Sequence, residues 1–138
     1  MAQNFIKGEV LLINKPLGWT SFQVVNKVRW MLRKNLNIDP KVGHAGTLDP
    51  LATGLLILCT GKLTKSIEEY QGFEKEYEGT FTLGATTPSY DMEKTVDRTF
   101  PIQHITPQLI NDTAKGFEGP NMQAVSYTHL TLPTNREV

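Results

Sequence analysis

The hydrophobic pattern divides the first half of the chain into short apolar runs and one amphipathic helix. Residues 9–14 (EVLLIN) form a run that stops at Lys15-Pro16-Leu17-Gly18, which predicts a buried strand followed by a turn. Thr20, with Gln23 three places on, has the form of a capping box. Phe22, Val25, Val28 and Leu32 then recur at helical spacing, with Val24 and Met31 widening the stripe. Lys27, Arg29, Arg33 and Lys34 fall outside that stripe or near the helix C-terminus, where positive charge suits the dipole. Residues 35–51 carry Pro40, Gly43, Gly46 and Pro50 and read as a loop. GLLILCT at 54–60 predicts a second buried strand, and 62–71 a short helix. Residues 74–83 alternate, with Tyr77, Gly79, Phe81 and Leu83 on one side and Glu76, Glu78, Thr80 and Thr82 on the other. That is the pattern of a half-exposed antiparallel strand. Thr106-Pro107 opens a last helix, with Leu109, Ile110, Ala114 and Phe117 on its apolar face. Strands and helices mix without a βαβ rhythm, so the predicted class is α+β, with no internal repeat.

Composition narrows the setting. The chain has 138 residues, the length of one domain, with 39% hydrophobic and 20% charged residues, as in ordinary globular proteins. Its longest apolar run, residues 55–59, is far short of the ~20 residues that span a bilayer. The first 13 residues contain Glu9 and no small-residue cleavage pattern, so they do not read as a signal peptide. A single cysteine, Cys59, excludes an internal disulfide framework and fits a reducing compartment, so the expected location is cytoplasmic. Net charge is zero, yet residues 1–65 hold 9 Lys+Arg against 3 Asp+Glu, and residues 66–138 hold 5 against 11. A balance of +6 in one half can form a phosphate-binding face, although a solvated dipolar globule gives the same counts.

The candidate chemistry lies in residues 42–54 (VGHAGTLDPLATG). Gly43 and Gly46 permit tight turns and close approach of backbone to a ligand. Pro50 pushes Asp49 toward extended backbone, which directs its carboxylate just ahead of the second strand. A carboxylate, an imidazole (His44) and a hydroxyl (Thr47) within six residues make a reactive cluster. An Asp-Pro turn that merely caps a strand uses the same residues. His44, His104 and His129 lack metal-ligand spacing, so no metal is expected. Gly61-Lys62-Leu63-Thr64 is not a P-loop, because Leu56 and Leu63 stand where that motif needs glycine and Ser or Thr.

GHAGTLDPLATGLL at 43–56 resembles the catalytic-loop signature of the TruB family of tRNA pseudouridine synthases. Three further motifs occur in the family's order. Asn14-Lys15-Pro16-Leu17-Gly18-Trp19-Thr20-Ser21 resembles its Lys-Pro-x-Gly-x-(Ser/Thr)-Ser opening, Lys75-Glu76-Tyr77 its Lys-x-Tyr strand, and Gly84-Ala85-Thr86-Thr87 with Asp91 the stretch that follows. The resemblance covers roughly residues 8–123 and implies the N-terminal part of a pseudouridine synthase catalytic domain. That fold is a mixed, mainly antiparallel sheet flanked by helices, here truncated. The implied activity is isomerisation of uridine to pseudouridine at position 55 in the T-arm of tRNA, without a cofactor, by a monomer. Asp49 would be the catalytic residue, as nucleophile or as base. Tyr77 would pack on the flipped uracil, His44 would occupy space near the extruded nucleotide, and Lys15 and Asp91 would line or brace the site. Guide-RNA-directed relatives share much of the loop, but Pro50-Leu51-Ala52-Thr53-Gly54-Leu55-Leu56 is more similar to the stand-alone bacterial type. A non-catalytic RNA-binding or RNA-folding module is the reading from another class.

Past Gln123 the family motifs stop. Residues 124–138 carry no helical periodicity and read as foreign sequence, the other reading being a strand built from Val125, Tyr127 and Leu130. The resemblance implies that the family's second half supplies an arginine that pairs with the aspartate, so the chain alone is expected to be poorly active.

Overall fold

Val10, Leu11, Leu12 and Ile13 are β-branched or bulky residues with no helix cap, and they begin strand β1 (Val10–Lys15). The computed structural model describes residues 2–120. Ahead of β1 lies a short helix, α1 (Ala2–Lys7), and after it come helix α2 (Ser21–Leu36) and strands β2 (Val42–Ala45) and β3 (Gly54–Thr60). A 3₁₀ turn (Gly61–Ser66) leads into helix α3 (Ile67–Gln71). A two-stranded ribbon, β4 (Ala85–Thr86) and β5 (Arg98–Thr99), and helix α4 (Pro107–Lys115) complete the described chain. The class is α+β, as expected. The reading of residues 124–138 lies outside the described residues.

The main sheet has the order β1-β3-β2 with both pairings antiparallel. Leu11 pairs with Leu58 and Ile13 with Leu56, while His44 lies opposite Leu58 on the other flank. Directly paired residues share a face, so this register collects Leu11, Ile13, Leu56 and Leu58 on the side that meets α2. There Val24 and Val25 complete the core, with Val28, Val42 and Leu48 packed around it. Fully burying one such aliphatic side chain contributes roughly 1.5–3 kcal/mol.

Helix α2 begins where the sequence predicts. Thr20 is the N-cap, its hydroxyl accepting from the Gln23 N–H at 3.1 Å while Gln23 Oε1 accepts from the Thr20 N–H at 2.8 Å. The helix ends at Asn37, which adopts the left-handed conformation and donates its N–H to the carbonyls of Arg33 and Leu32. Of the predicted stripe, Val24, Val25 and Leu32 are buried, but Phe22 and Met31 are exposed.

Three expectations need correction. Residues 42–45, read as loop, form β2; a four-residue edge strand containing Gly43 and Ala45 carries little β-propensity of its own and is held by its partner β3. Gly43 therefore sits in a strand, where a Cβ would come within 2.7 Å of Ile67 Cδ1 and make the end of that side chain shift. The short helix expected over 62–71 is split into the 3₁₀ turn and α3. Residues 74–83 form no strand: they are exposed and, among the described residues, pair with no neighbour. Alternation marks two sides of a chain, but a strand exists only with a hydrogen-bonded partner.

Asp39, just beyond α2, accepts a hydrogen bond from Arg33 and lies 3.5 Å from Arg29. The hydrogen bond from the Arg33 guanidinium is the main cause holding the Asp39 carboxyl below its usual range. A carboxylate lowered in the folded state adds stability in full above its unfolded value of about 3.9, and loses it as pH falls through the lower native value. Asp39→Asn should therefore lower Tm slightly at pH 7, with the difference from wild type vanishing in strong acid and shrinking in high salt. Thermal melts across pH check this, and a difference that grew toward acid would contradict it.

Candidate active site

Three strand ends meet at one edge of the main sheet. Lys15, the last residue of β1, pairs with Gly54, the first of β3, and Ala45 closes β2 opposite Ile57. The β2–β3 connection, residues 46–53, projects from this edge and carries Asp49. Its entry is a turn in which Gly46 has φ of 98°, open to glycine but strained for other residues.

Groups from the end of β1 to the first residue of α2 clamp the backbone on both sides of Asp49. The Leu48 N–H donates to Ser21 Oγ at 3.0 Å, and that hydroxyl donates to the Leu48 carbonyl at 3.2 Å. On the other side, the Pro50 carbonyl accepts from the Gly18 N–H at 2.8 Å and from Lys15 Nζ at 3.5 Å. Gly18 reaches it from a left-handed φ of 78°. Lys15 Nζ also donates to the carbonyls of Pro16 at 3.0 Å and Trp19 at 2.6 Å. Lys15 has no solvent exposure, and an ammonium has three donors, so every donor has an acceptor. Asp49 is exposed, its carbonyl accepts from the Ala52 N–H at 3.0 Å, and among the described residues no hydrogen bond or ion pair reaches its carboxylate. The backbone is fixed while the acid is left open to an incoming group.

A cleft of about 810 Å³ opens beside the loop. Residues 45–48 and 51–57 form one wall, and Tyr70, Phe73 and residues 74–78 the other. Asp49 is not itself a lining residue; along the loop it falls between the lining residues Leu48 and Leu51. Tyr70 and Phe73 meet edge to face at 5.4 Å, which supports the aromatic wall. Tyr77 lines the cleft with 72% of its surface exposed, so most of its ring is open to a ligand.

The remaining candidates are placed differently. His44 Nδ1 donates to the Gly46 carbonyl at 2.6 Å, which leaves Nε2 as the acceptor of the neutral ring. Its register opposite Leu58 puts it on the α2 face of the sheet, one residue before the cleft wall begins at Ala45. Asp91 Oδ1 accepts from Ser89 Oγ at 2.7 Å and the Glu93 N–H at 2.9 Å, and its carbonyl accepts from Thr87 Oγ1 at 2.6 Å. It organises the turn over residues 87–93 and is not among the cleft-lining residues. Lys15, His44 and Asp49 thus belong to one loop system, Tyr77 shares its cleft, and Asp91 braces a separate turn. Ser21 closes the opening motif read from the sequence, but that reading gave it no role in the site. A serine beside a helix cap signals only the cap, and its partner lies 27 residues away. Burial pushes the Cys59 thiol up, away from the reactive thiolate. Among the described residues no group of three or more His, Cys, Asp or Glu is arranged to hold a metal, and no helix is long and apolar enough to cross a membrane.

The fold and site define an α+β domain that presents an open carboxylate on a clamped loop beside an aromatic-walled cleft. Residues 33–128 match the TruB family pseudouridylate synthase (N terminal domain), and the chain belongs to that family. It is 57% identical over 119 residues to the tRNA pseudouridine synthase B of Flavobacterium johnsoniae, an alignment covering 85% of this chain and 52% of the relative. It is 60% identical over 117 residues to the protein of that name from Bacteroides thetaiotaomicron, covering 84% and 49%. With that of Chlorobium luteolum it shares 48% over 116 residues, covering 84% and 40%. The chain spans about half the length of the first two.

Ser21→Ala should orphan the Leu48 N–H and carbonyl and cost roughly 1–3 kcal/mol. Amide exchange should accelerate at Leu48 more than in β1 or β3. Uniform acceleration across the sheet would mean that Ser21 supports the fold rather than the loop.

Proposed function

We propose that this chain is the N-terminal part of the catalytic domain of a tRNA pseudouridine synthase, with the mixed, mainly antiparallel sheet of that enzyme type. In this reading it acts on the uridine at position 55 of the tRNA T-arm. The observation that carries the reading is the open carboxylate of Asp49, held by backbone clamps beside a cleft walled by Tyr77.

The chemistry suits those groups. Converting uridine to pseudouridine breaks the bond between N1 and the ribose C1′, turns the uracil, and joins its C5 to C1′. The proton leaves C5 and N1 gains one, so atoms and electrons balance without an oxidant, a reductant or a cofactor. Asp49 either adds to the sugar and departs again or removes a proton from it; a carboxylate can do both, as glycosidase carboxylates show. Extruding a base from a stacked loop costs a few kcal/mol. Stacking on one aromatic, the role assigned to Tyr77, returns about 1–3 kcal/mol, and lysine contacts to phosphate add a salt-dependent remainder. Lys15 acts through the backbone: it fixes the Pro50 carbonyl and so the direction of Asp49. His44 holds the loop entry beside the extruded nucleotide, and Asp91 braces the turn after Tyr77.

A second reading, a binding module that lacks part of its catalytic machinery, draws on the same carboxylate, which has no cationic partner among the described residues. Both are tested by release of tritium from a T-arm stem-loop carrying 5-tritiated uridine. Residues 1–123 fused to the second half of the Flavobacterium johnsoniae relative should release it, with a loss of at least about 10³-fold for Asp49→Ala, the scale of removing a nucleophile or base. The 138-residue chain should release little. Equal release by the fusion and its Asp49→Ala variant would sink the proposal. RNA binding with no release from either would favour the binding module.

A further inference from the structure

The outer face of α2 has no part in the clamp or the cleft. Gln23, Lys27, Trp30 and Lys34 recur at intervals of four, three and four residues, so they form one stripe, opposite the buried stripe of Val24, Val25 and Leu32. Trp30 is 49% exposed, with Lys27 Nζ 4.5 Å and Lys34 Nζ 4.7 Å from its ring centre. Trp19, 38% exposed, extends the stripe past the helix N-terminus. With Gln23, Asn26 and Lys27 it lines an open concavity of about 360 Å³.

Two large indoles left at the surface, each beside a lysine, need a reason, since tryptophan is among the most buried side chains on average. Lysine stems covering exposed rings is the plain reading of Trp30, but it leaves the concavity at Trp19 without one. Charge points further. Helix α2 carries Lys27, Arg29, Arg33 and Lys34 and no acidic residue. Asp39 is taken by Arg29 and Arg33, and among the described residues no carboxylate pairs with Lys27 or Lys34. At Gln23 the capping bond occupies Oε1, so its NH₂ is the group available to the concavity, beside the amide of Asn26. Indole rings, amides and ammonium groups that no described carboxylate neutralises match an unpaired polynucleotide strand: a base stacks at the concavity beside Trp19, amides meet base edges, and Lys27 and Lys34, now resting on Trp30, swing to phosphates and uncover its ring. The face also adjoins the clamp, because the Trp19 carbonyl is a partner of Lys15 and the Gly18 N–H holds Pro50.

We infer that the stripe from Trp19 through Gln23, Asn26 and Lys27 to Trp30 and Lys34 is a second RNA-binding surface, which takes an unpaired strand leading away from the nucleotide at Asp49. This rests on the reading of the chain as an RNA-modifying enzyme.

The chain has two tryptophans, Trp19 and Trp30, both on this face, whereas the aromatics of the cleft are Tyr70, Phe73 and Tyr77. Indole emission therefore reports this surface and not the cleft. A fluorescently labelled oligouridine strand added to the 138-residue chain should quench tryptophan emission in parallel with its own gain in anisotropy. Trp19→Phe and Trp30→Phe should each remove part of the quench. Lys27→Gln with Lys34→Gln should weaken binding about tenfold and lower the magnitude of the salt slope by about 1.4, or ~0.7 for each lost phosphate contact. Circular dichroism of each variant should match wild type, because all the substituted side chains are exposed or partly exposed. Anisotropy that rises while indole emission stays constant, or a double lysine variant that binds as wild type does, would overturn this surface and leave the proposed function intact. Equal quenching by duplex RNA would overturn the assignment to an unpaired strand. Quenching as described, with no tritium release from the fused protein, would instead fail the enzyme reading.

Discussion

The buried ammonium of Lys15 is the constraint on which the geometry of the site depends. A charge removed from water is tolerable only when its donors are fully used, since an unpaired one costs several kcal/mol. Here the acceptors are three carbonyls, two in the turn after β1 and the third 35 residues away at Pro50. The third donor finds its acceptor only when the turn and the loop come together, at 3.5 Å, and with the 2.8 Å bond from the Gly18 N–H to the same carbonyl it fixes the backbone after Asp49. Ser21 repeats the device with a neutral group, using one hydroxyl as both acceptor and donor to Leu48. Core packing of Leu56 and Leu58 against Val24 and Val25 keeps the helix and sheet at the spacing these bonds require.

The two walls of the cleft differ in mechanical character. One is a strand and a clamped loop rooted in the core. The other, residues 74–78, is extended and exposed, and makes no ladder with any described strand. Segments with few buried contacts lie at the low-stability end of a protein's local openings. A site that must admit a nucleotide turned out of its stack benefits from that contrast, with a fixed acid on one side and a yielding aromatic on the other.

Much of this was legible in the chain. β1, β3 and α2 follow from apolar runs, a capping box and helical spacing, and Asn37 ends the helix in the left-handed conformation that asparagine tolerates. The loop carrying Asp49 stood out through its glycines and its Asp-Pro step. β2 was hidden because Gly43, His44 and Ala45 carry no strand preference; only pairing with β3 makes them a strand. The reverse error at 74–83 has the same root, since alternation speaks of side-chain direction and not of a partner. Ser21 and the Lys15–Pro50 bond were invisible for a related reason: each is a contact across 27 or 35 residues, which no local pattern encodes.

The strand order has a consequence for the newborn chain. β3, the last of the three in sequence, lies in the middle of the sheet, and β1 and β2 each pair with it and not with each other. As the polypeptide leaves the ribosome, β1, α2 and β2 therefore emerge with no sheet to join. Only when Thr60 is clear can the β2–β3 hairpin close locally and β1 then add along its free edge. Until that moment the Pro50 carbonyl is not yet held beside Lys15, so the reactive loop matures in the same step that closes the sheet.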